Sequence, residues 1–125
     1  MILGIGTDIV DVNRIARMVE QYEGRFLEKI LVPTEVEACA ESSNRIQRIA
    51  ARFAAKEALV KAMGTGMCAE INYRHIEILN GKLGEPLLRL HGSAEEMQKK
   101  RGISRIHLSM SHTEKYATAM VVLEN

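Results

Sequence analysis

The sequence predicts an α+β fold in which a largely antiparallel sheet packs on one long helix. Three observations carry this. The stretch Asn44 to Met63 keeps helical periodicity and stops at Gly64, a residue suited to the left-handed conformation beyond a helix end. Ile106, Leu108 and Met110 alternate with polar residues, and Tyr116 to Leu123 is a β-rich run, so Ser111 to Lys115 should turn a hairpin. The strands do not alternate regularly with helices, which argues against a βαβ repeat.

The elements follow in order. Ile2 to Val10 reads as a buried strand, and Asp11 can N-cap a helix in which Val12, Ile15, Val19 and Tyr22 recur at helical spacing. Thr34 with Glu37 forms a capping box that starts a short helix through Ala40 after Pro33. Beyond the long helix, Ile76 to Leu79 and Leu87 to Leu90 form two strands around a turn holding Asn80, Gly81, Gly84 and Pro86. Ser93 with Glu96 is a second capping box, opening a polar helix that ends at Gly102. The predicted order is β-α-α-α-β-β-α-β-β, in one domain over residues 1–125, without a repeat or linker to divide it.

Composition narrows the function. The chain is 46% hydrophobic and 26% charged, the balance of an ordinary globular domain. Only 4% of residues are aromatic and Trp is absent, so Ile, Leu, Val, Met and Ala must build the core, with part of it completed by a partner subunit. A net charge of +1 argues against a nucleic-acid binder. Cys39 and Cys68 lack C-x-x-C spacing and no basic-then-apolar leader precedes them, which fits a reduced, cytoplasmic setting. The apolar opening carries Asp8 and is far shorter than the roughly 20 residues that span a bilayer, so no membrane association is expected.

Two carboxylates sit where apolar residues belong. On a helical wheel of about 100° per residue, Ile46, Ile49, Ala50, Phe53 and Val60 form one stripe, and Glu57 lands in its middle. Asp8 interrupts the run Ile5 to Val10, beside glycines that permit close approach. A buried unpaired charge costs several kcal/mol, so each must be paired or bound to a metal. Salt bridges to Arg14, Arg52 or Lys61 are one reading. A hard divalent cation is the other, and Mg²⁺ suits one or two carboxylates completed by water and phosphate oxygens. No His or Cys falls at zinc-ligand spacing with these acids.

Cations accompany them. Arg45, Arg48, Arg52 and Lys56 form a basic stripe on another side of the long helix, readable as a solvated face or an anion site. Lys61 borders the Glu57 face, and Gly64-Thr65-Gly66 follows, offering either backbone NH groups to an anion or an ordinary helix cap. Ser109, Ser111, His112 and Thr113 supply hydroxyls and an imidazole able to contact phosphate. No Ser/His/Asp spacing and no G-x-x-x-x-G-K-[ST] loop is present.

Taken together, these residues resemble the holo-acyl-carrier-protein synthases, the bacterial members of the 4′-phosphopantetheinyl transferases. The resemblance rests on Gly4-Ile5-Gly6-Thr7-Asp8-Ile9-Val10, on Arg52-Phe53-Ala54-Ala55-Lys56-Glu57-Ala58 with Lys61 and Gly64-Thr65-Gly66, and on Ser109-x-Ser111-His112-Thr113 with Tyr116-Ala117. These motifs are spread along nearly the whole chain.

The resemblance implies Mg²⁺-dependent transfer of phosphopantetheine from coenzyme A to an acyl carrier protein in support of fatty acid biosynthesis, releasing adenosine 3′,5′-bisphosphate. It implies Asp8 and Glu57 as metal ligands. Lys61, with the turn Gly64 to Gly66, would serve the coenzyme A phosphates, and Arg52 and His112, with Thr113, the nucleotide end. Arg14, Met18 and Arg25 would form the docking surface for the acidic carrier protein. A homotrimer with active sites between subunits is also implied. One departure stands out: Gly84-Glu85-Pro86 occupies the place of the family's Gly-Lys-Pro near the adenine, which removes an expected cation. A Mg²⁺-dependent nucleotide phosphohydrolase and a non-enzymatic binding trimer, with both carboxylates paired to Arg, are the competing readings.

Overall fold

The computed structural model describes residues 1–22, 24–40 and 42–125. Strand β1 (Ile2–Asp11) leads into helices α1 (Val12–Tyr22), α2 (Gly24–Ile30), α3 (Pro33–Ala40) and the long α4 (Arg45–Met63). A 3₁₀ turn (Tyr73–His75) precedes β2 (Ile76–Asn80) and β3 (Pro86–Leu90), then α5 (Gly92–Lys100), β4 (Arg105–His112) and β5 (Tyr116–Glu124). The fold is α+β as expected, and the expected order holds with α2 added.

All pairing is antiparallel. One sheet runs β1-β5-β4, with Asp8 opposite Ala119 and Met110 opposite Ala119 from the other side, and β2 pairs with β3 in a separate hairpin. Helix α4 lies across the three-stranded sheet. Its small residues Ala54, Ala55 and Ala58 are wholly buried and pack with Ala119, Val121 and Leu123 of β5. A second cluster joins the start of α4 to Ile15 of α1, Phe26 and Ile30 of α2, and Cys39 of α3. Among the described residues no helix is long and apolar enough to cross a membrane.

The helix ends show which local signals were used. Asp11 caps α1 as expected, its Oδ1 accepting from the backbone NH groups of Asn13 at 2.8 Å and Arg14 at 3.3 Å. Gly64 ends α4 with φ of 76°, the left-handed conformation a side chain resists. Neither predicted capping box forms. Thr34 donates instead to Glu77 Oε2 at 2.6 Å, and Ser93 donates to the carbonyl of Glu70 at 2.6 Å. At the start of α3 it is Glu35, not Glu37, that reaches back, accepting from the NH of Val32 at 2.9 Å.

The tightest constraint lies between β1 and α4. A Cβ on Gly6 would stand 2.0 Å from the carbonyl oxygen of Ala58, and one on Gly4 would stand 2.2 Å from that of Ala62. Only glycine lets the strand backbone rest on the helix backbone here. Gly6→Ala should therefore cost on the order of 3 kcal/mol by urea unfolding. Gly24→Ala, whose Cβ meets nothing within 4 Å, should stay within about 1 kcal/mol of wild type. Equal costs for the two would show that the β1–α4 approach is not limiting.

Candidate active site

The two anomalous carboxylates come to one region from different elements. Asp8 lies on the same side of β1 as Gly6 and Val10, the side that faces α4, and Lys61 Nζ donates to its Oδ1 at 2.9 Å and to the Thr7 carbonyl at 3.1 Å. This pair is unequal, with the Lys61 side chain 54% exposed and that of Asp8 15%. Glu57, half-buried on α4, has no cation partner among the described residues; the Tyr73 hydroxyl donates to its Oε1. Among the described residues neither carboxylate pairs with an arginine. Burial first, then the hydrogen bond to Glu57 and the charges of Glu57 and Asp8, push the Tyr73 phenol well above its ordinary value, with Arg14 opposing. Tyr73 thus stays a protonated donor within the field of both acids.

The basic stripe on α4 divides: Arg48 is exposed and Arg45 half-buried, but Arg52 and Lys56 are buried. Lys56 is fully buried, donating to Glu35 Oε1 at 2.6 Å and to the carbonyls of Ile30 at 2.7 Å and Tyr73 at 3.0 Å. All three ammonium protons are used. Burial pulls this lysine below its usual pKa, and Glu35 opposes the shift. Glu35 in turn accepts from the NH groups of Val32 and Ile78, so one ion pair joins α3, α4, β2 and the end of α2. Arg52 is buried too, at 4% exposure, but it has no anion: its Nε lacks any partner among the described residues, and Nη1 reaches only the Arg48 carbonyl at 3.5 Å.

Two clefts flank these residues. Arg52 opens into one of about 380 Å³, shared with Arg48, Asn80 and His112 and closed by Gly84 and Pro86. The Glu85 carboxylate is turned away from it, accepting from the NH of Leu83 at 2.9 Å within its own turn. The other cleft, of about 450 Å³, brings together the expected Arg14, Met18 and Arg25 with Lys29, over a floor that includes Phe53 and Tyr73.

One expectation about anion donors needs correction. The NH groups of Gly64, Thr65 and Gly66 are not open: they donate to the carbonyls of Lys61 and Val60, closing the helix end. The Thr113 hydroxyl oxygen accepts from the NH groups of Lys115 and Tyr116 in its hairpin and keeps its own proton to donate.

Sequence reasoning missed Tyr73, Glu35 and Lys29. The apolar stripe around Glu57 held the signal for Tyr73, since Phe53, one turn earlier on α4, stacks on its ring with centroids 5.7 Å apart.

The donor set fits a hard cation. Asp8 and Glu57 offer only carboxylate oxygens, and among the described residues no third His, Cys, Asp or Glu gathers with them. Such a pair suits Mg²⁺ whose other ligands are water and substrate phosphates.

A family model described as the 4′-phosphopantetheinyl transferase superfamily matches residues 4–121. A holo-[acyl-carrier-protein] synthase of Halothermothrix orenii is 50% identical over 124 residues, covering 99% of this chain and 98% of that protein. The crystal structure of the Neisseria meningitidis holo-[acyl-carrier-protein] synthase superposes with a TM-score of 0.94 at 39% identity, covering 100% of both chains. That of a Bacillus anthracis holo-(acyl-carrier-protein) synthase in complex with CoA (3′,5′-ADP) gives 0.82 at 38% identity, covering 98% of this chain and 96% of that one. The chain belongs to the holo-[acyl-carrier-protein] synthase family of this superfamily.

The buried pair behind the site can be tested separately. Lys56→Met should cost about 3–5 kcal/mol by chemical denaturation, because it strands the Glu35 charge in the core. Adding Glu35→Gln should recover part of the loss, since the amide oxygen still accepts from Val32 while the buried charge is gone. Losses that simply add would show that the two residues do not act as a pair.

Proposed function

We propose that the chain transfers the 4′-phosphopantetheine arm of coenzyme A to a serine of apo acyl carrier protein, yielding holo carrier protein and adenosine 3′,5′-bisphosphate in support of fatty acid biosynthesis. The observation that carries this reading is a pair of carboxylates on the packed elements β1 and α4, Asp8 held by Lys61 and Glu57 by Tyr73, with cation-lined clefts beside them. Asp8 and Glu57 would hold Mg²⁺, which would neutralise charge on the pyrophosphate oxygens.

The protein's own groups do the rest by placement and charge. The buried Arg52, without an anion among the described residues, takes a phosphate at the nucleotide end with His112, which gives its Nε an acceptor. Lys61, which donates to Asp8 from a largely exposed position, would meet the charge that builds on the departing nucleotide phosphate as the serine oxygen bonds to the pantetheine-bearing phosphorus, the pyrophosphate P–O bond breaks and the hydroxyl proton is released. The Gly64 to Gly66 turn acts as the helix cap that sets the position of Lys61, not as a source of NH donors. Arg14, Arg25 and Lys29 attract an acidic carrier protein, whose apolar contacts seat on Met18 and the aromatic floor.

The outer face of the three-stranded sheet supports a homotrimer with active sites between subunits. Ile5 and Ile9 are 60% and 65% exposed there, beside Met120 and Tyr116, more apolar surface than a monomer's sheet face needs to show. We place the protein in the cytoplasm, where the free thiols Cys39 and Cys68 stay reduced.

The test is incubation with coenzyme A, Mg²⁺ and apo carrier protein, with the carrier's mass read before and after. A gain of one phosphopantetheine arm is expected, and release of nucleotide without that gain would point to hydrolysis instead. Glu57→Gln and Asp8→Asn should each lower kcat by about 100-fold or more, as expected for losing several kcal/mol of charge stabilisation. The double variant should be little worse than either, because both residues act through one ion. Multiplying losses would give the two acids separate roles.

A further inference from the structure

Tyr73 is held at three points. Its carbonyl accepts from the buried Lys56 ammonium at 3.0 Å, its ring stacks on Phe53, and its hydroxyl donates to Glu57 Oε1. The 3₁₀ turn that carries it is itself locked, because Asn72 Oδ1 accepts from the Arg74 NH and His75 Nδ1 accepts from the Asn72 NH. Phe53 and Glu57 are one turn apart on α4, so the same helix face presents both the surface the ring leans on and the carboxylate the hydroxyl reaches.

We propose that Tyr73 is a positioning residue for the divalent cation: its hydroxyl fixes Glu57 in one rotamer and engages Oε1, which leaves Oε2 free for an ion. This inference rests on the reading of Asp8 and Glu57 as the Mg²⁺ pair. A glutamate has three rotatable bonds, and ordering it at the moment of ion binding subtracts from affinity. A hydrogen bond from a preset phenol removes that penalty in advance, and a carboxylate with its several acceptor positions accommodates both the phenol and a cation. Oε2 has no hydrogen-bond donor among the described residues. The Lys56–Glu35 pair then has a role beyond stability, because Lys56 holds the backbone from which Tyr73 reaches Glu57.

The test uses Mn²⁺ alone as the probe, its dissociation constant read by the paramagnetic resonance of free Mn²⁺ on wild type, Glu57→Gln and Tyr73→Phe, with thermal midpoints measured in parallel. Phenylalanine keeps the ring stack and removes only the hydroxyl. The expected result is a Kd about tenfold higher in Tyr73→Phe at an unchanged thermal midpoint, and a larger loss in Glu57→Gln. In turnover, Tyr73→Phe should need about tenfold more Mg²⁺ than wild type to reach half of its own maximal rate. If Glu57→Gln loses Mn²⁺ while Tyr73→Phe binds it as wild type does, the positioning role is overturned and the metal reading stands. If Glu57→Gln binds Mn²⁺ like wild type, the metal reading falls, and this inference falls with it.

Discussion

The contact between the backbone of β1 and the backbone of α4 sets where everything else can be. Gly4 and Gly6 bring the strand to the carbonyls of Ala62 and Ala58 at distances that no side chain allows. Side chains alternate along a strand, so the inner face that holds Gly4 and Gly6 also holds Asp8. That residue arrives beside α4 at the level where Lys61 can reach it. A wider separation, with ordinary side chains in between, would leave Asp8 and Glu57 as unrelated acids on two elements.

With the strand pressed so close, and with α1, α3 and β2 packed on its other sides, α4 has little polar surface, yet it carries Arg52, Lys56 and Glu57. Each solves its burial differently. Lys56 is neutralised by Glu35 and saturated by carbonyls, an arrangement that contributes little net stability but is costly to break from one side. Glu57 is tied to a phenol, which satisfies one oxygen without cancelling its charge. Arg52 stays incomplete, a buried cation without an anion among the described residues. The three run along the helix as one structural charge and two that a ligand would complete, which is how a small core can hold a site for a multiply charged substrate.

Much of this was legible in the residues. The periodicity of α4 with its glycine stop, the alternation in β4 and the two carboxylates at apolar positions were all visible, because each depends on local pattern. What failed depended on distant partners. Thr34 and Ser93 have the spacing of capping residues, but Glu77 and the Glu70 carbonyl compete for their hydroxyls and win. A helical wheel places Lys56 on a charged stripe and cannot see Glu35 arriving from α3 to cover it. The Gly64 to Gly66 turn was readable as anion donor or helix cap, and only its hydrogen bonds to Lys61 and Val60 decide for the cap. Tyr73 stood in a segment without periodicity of its own, and its only signal lay elsewhere, in the apolar stripe of α4 where Phe53 stacks on its ring.

The claim at the centre of this account is that Asp8 and Glu57 share one ion that also holds the pyrophosphate of coenzyme A. Anomalous scattering from crystals grown with coenzyme A and Mn²⁺ tests it most directly. The account predicts a single Mn²⁺ peak in contact with both carboxylates and with pyrophosphate oxygens, and Lys61 drawn from Asp8 toward phosphate. A pyrophosphate seated elsewhere, with no peak between the two acids and Lys61 still bonded to Asp8, would contradict it.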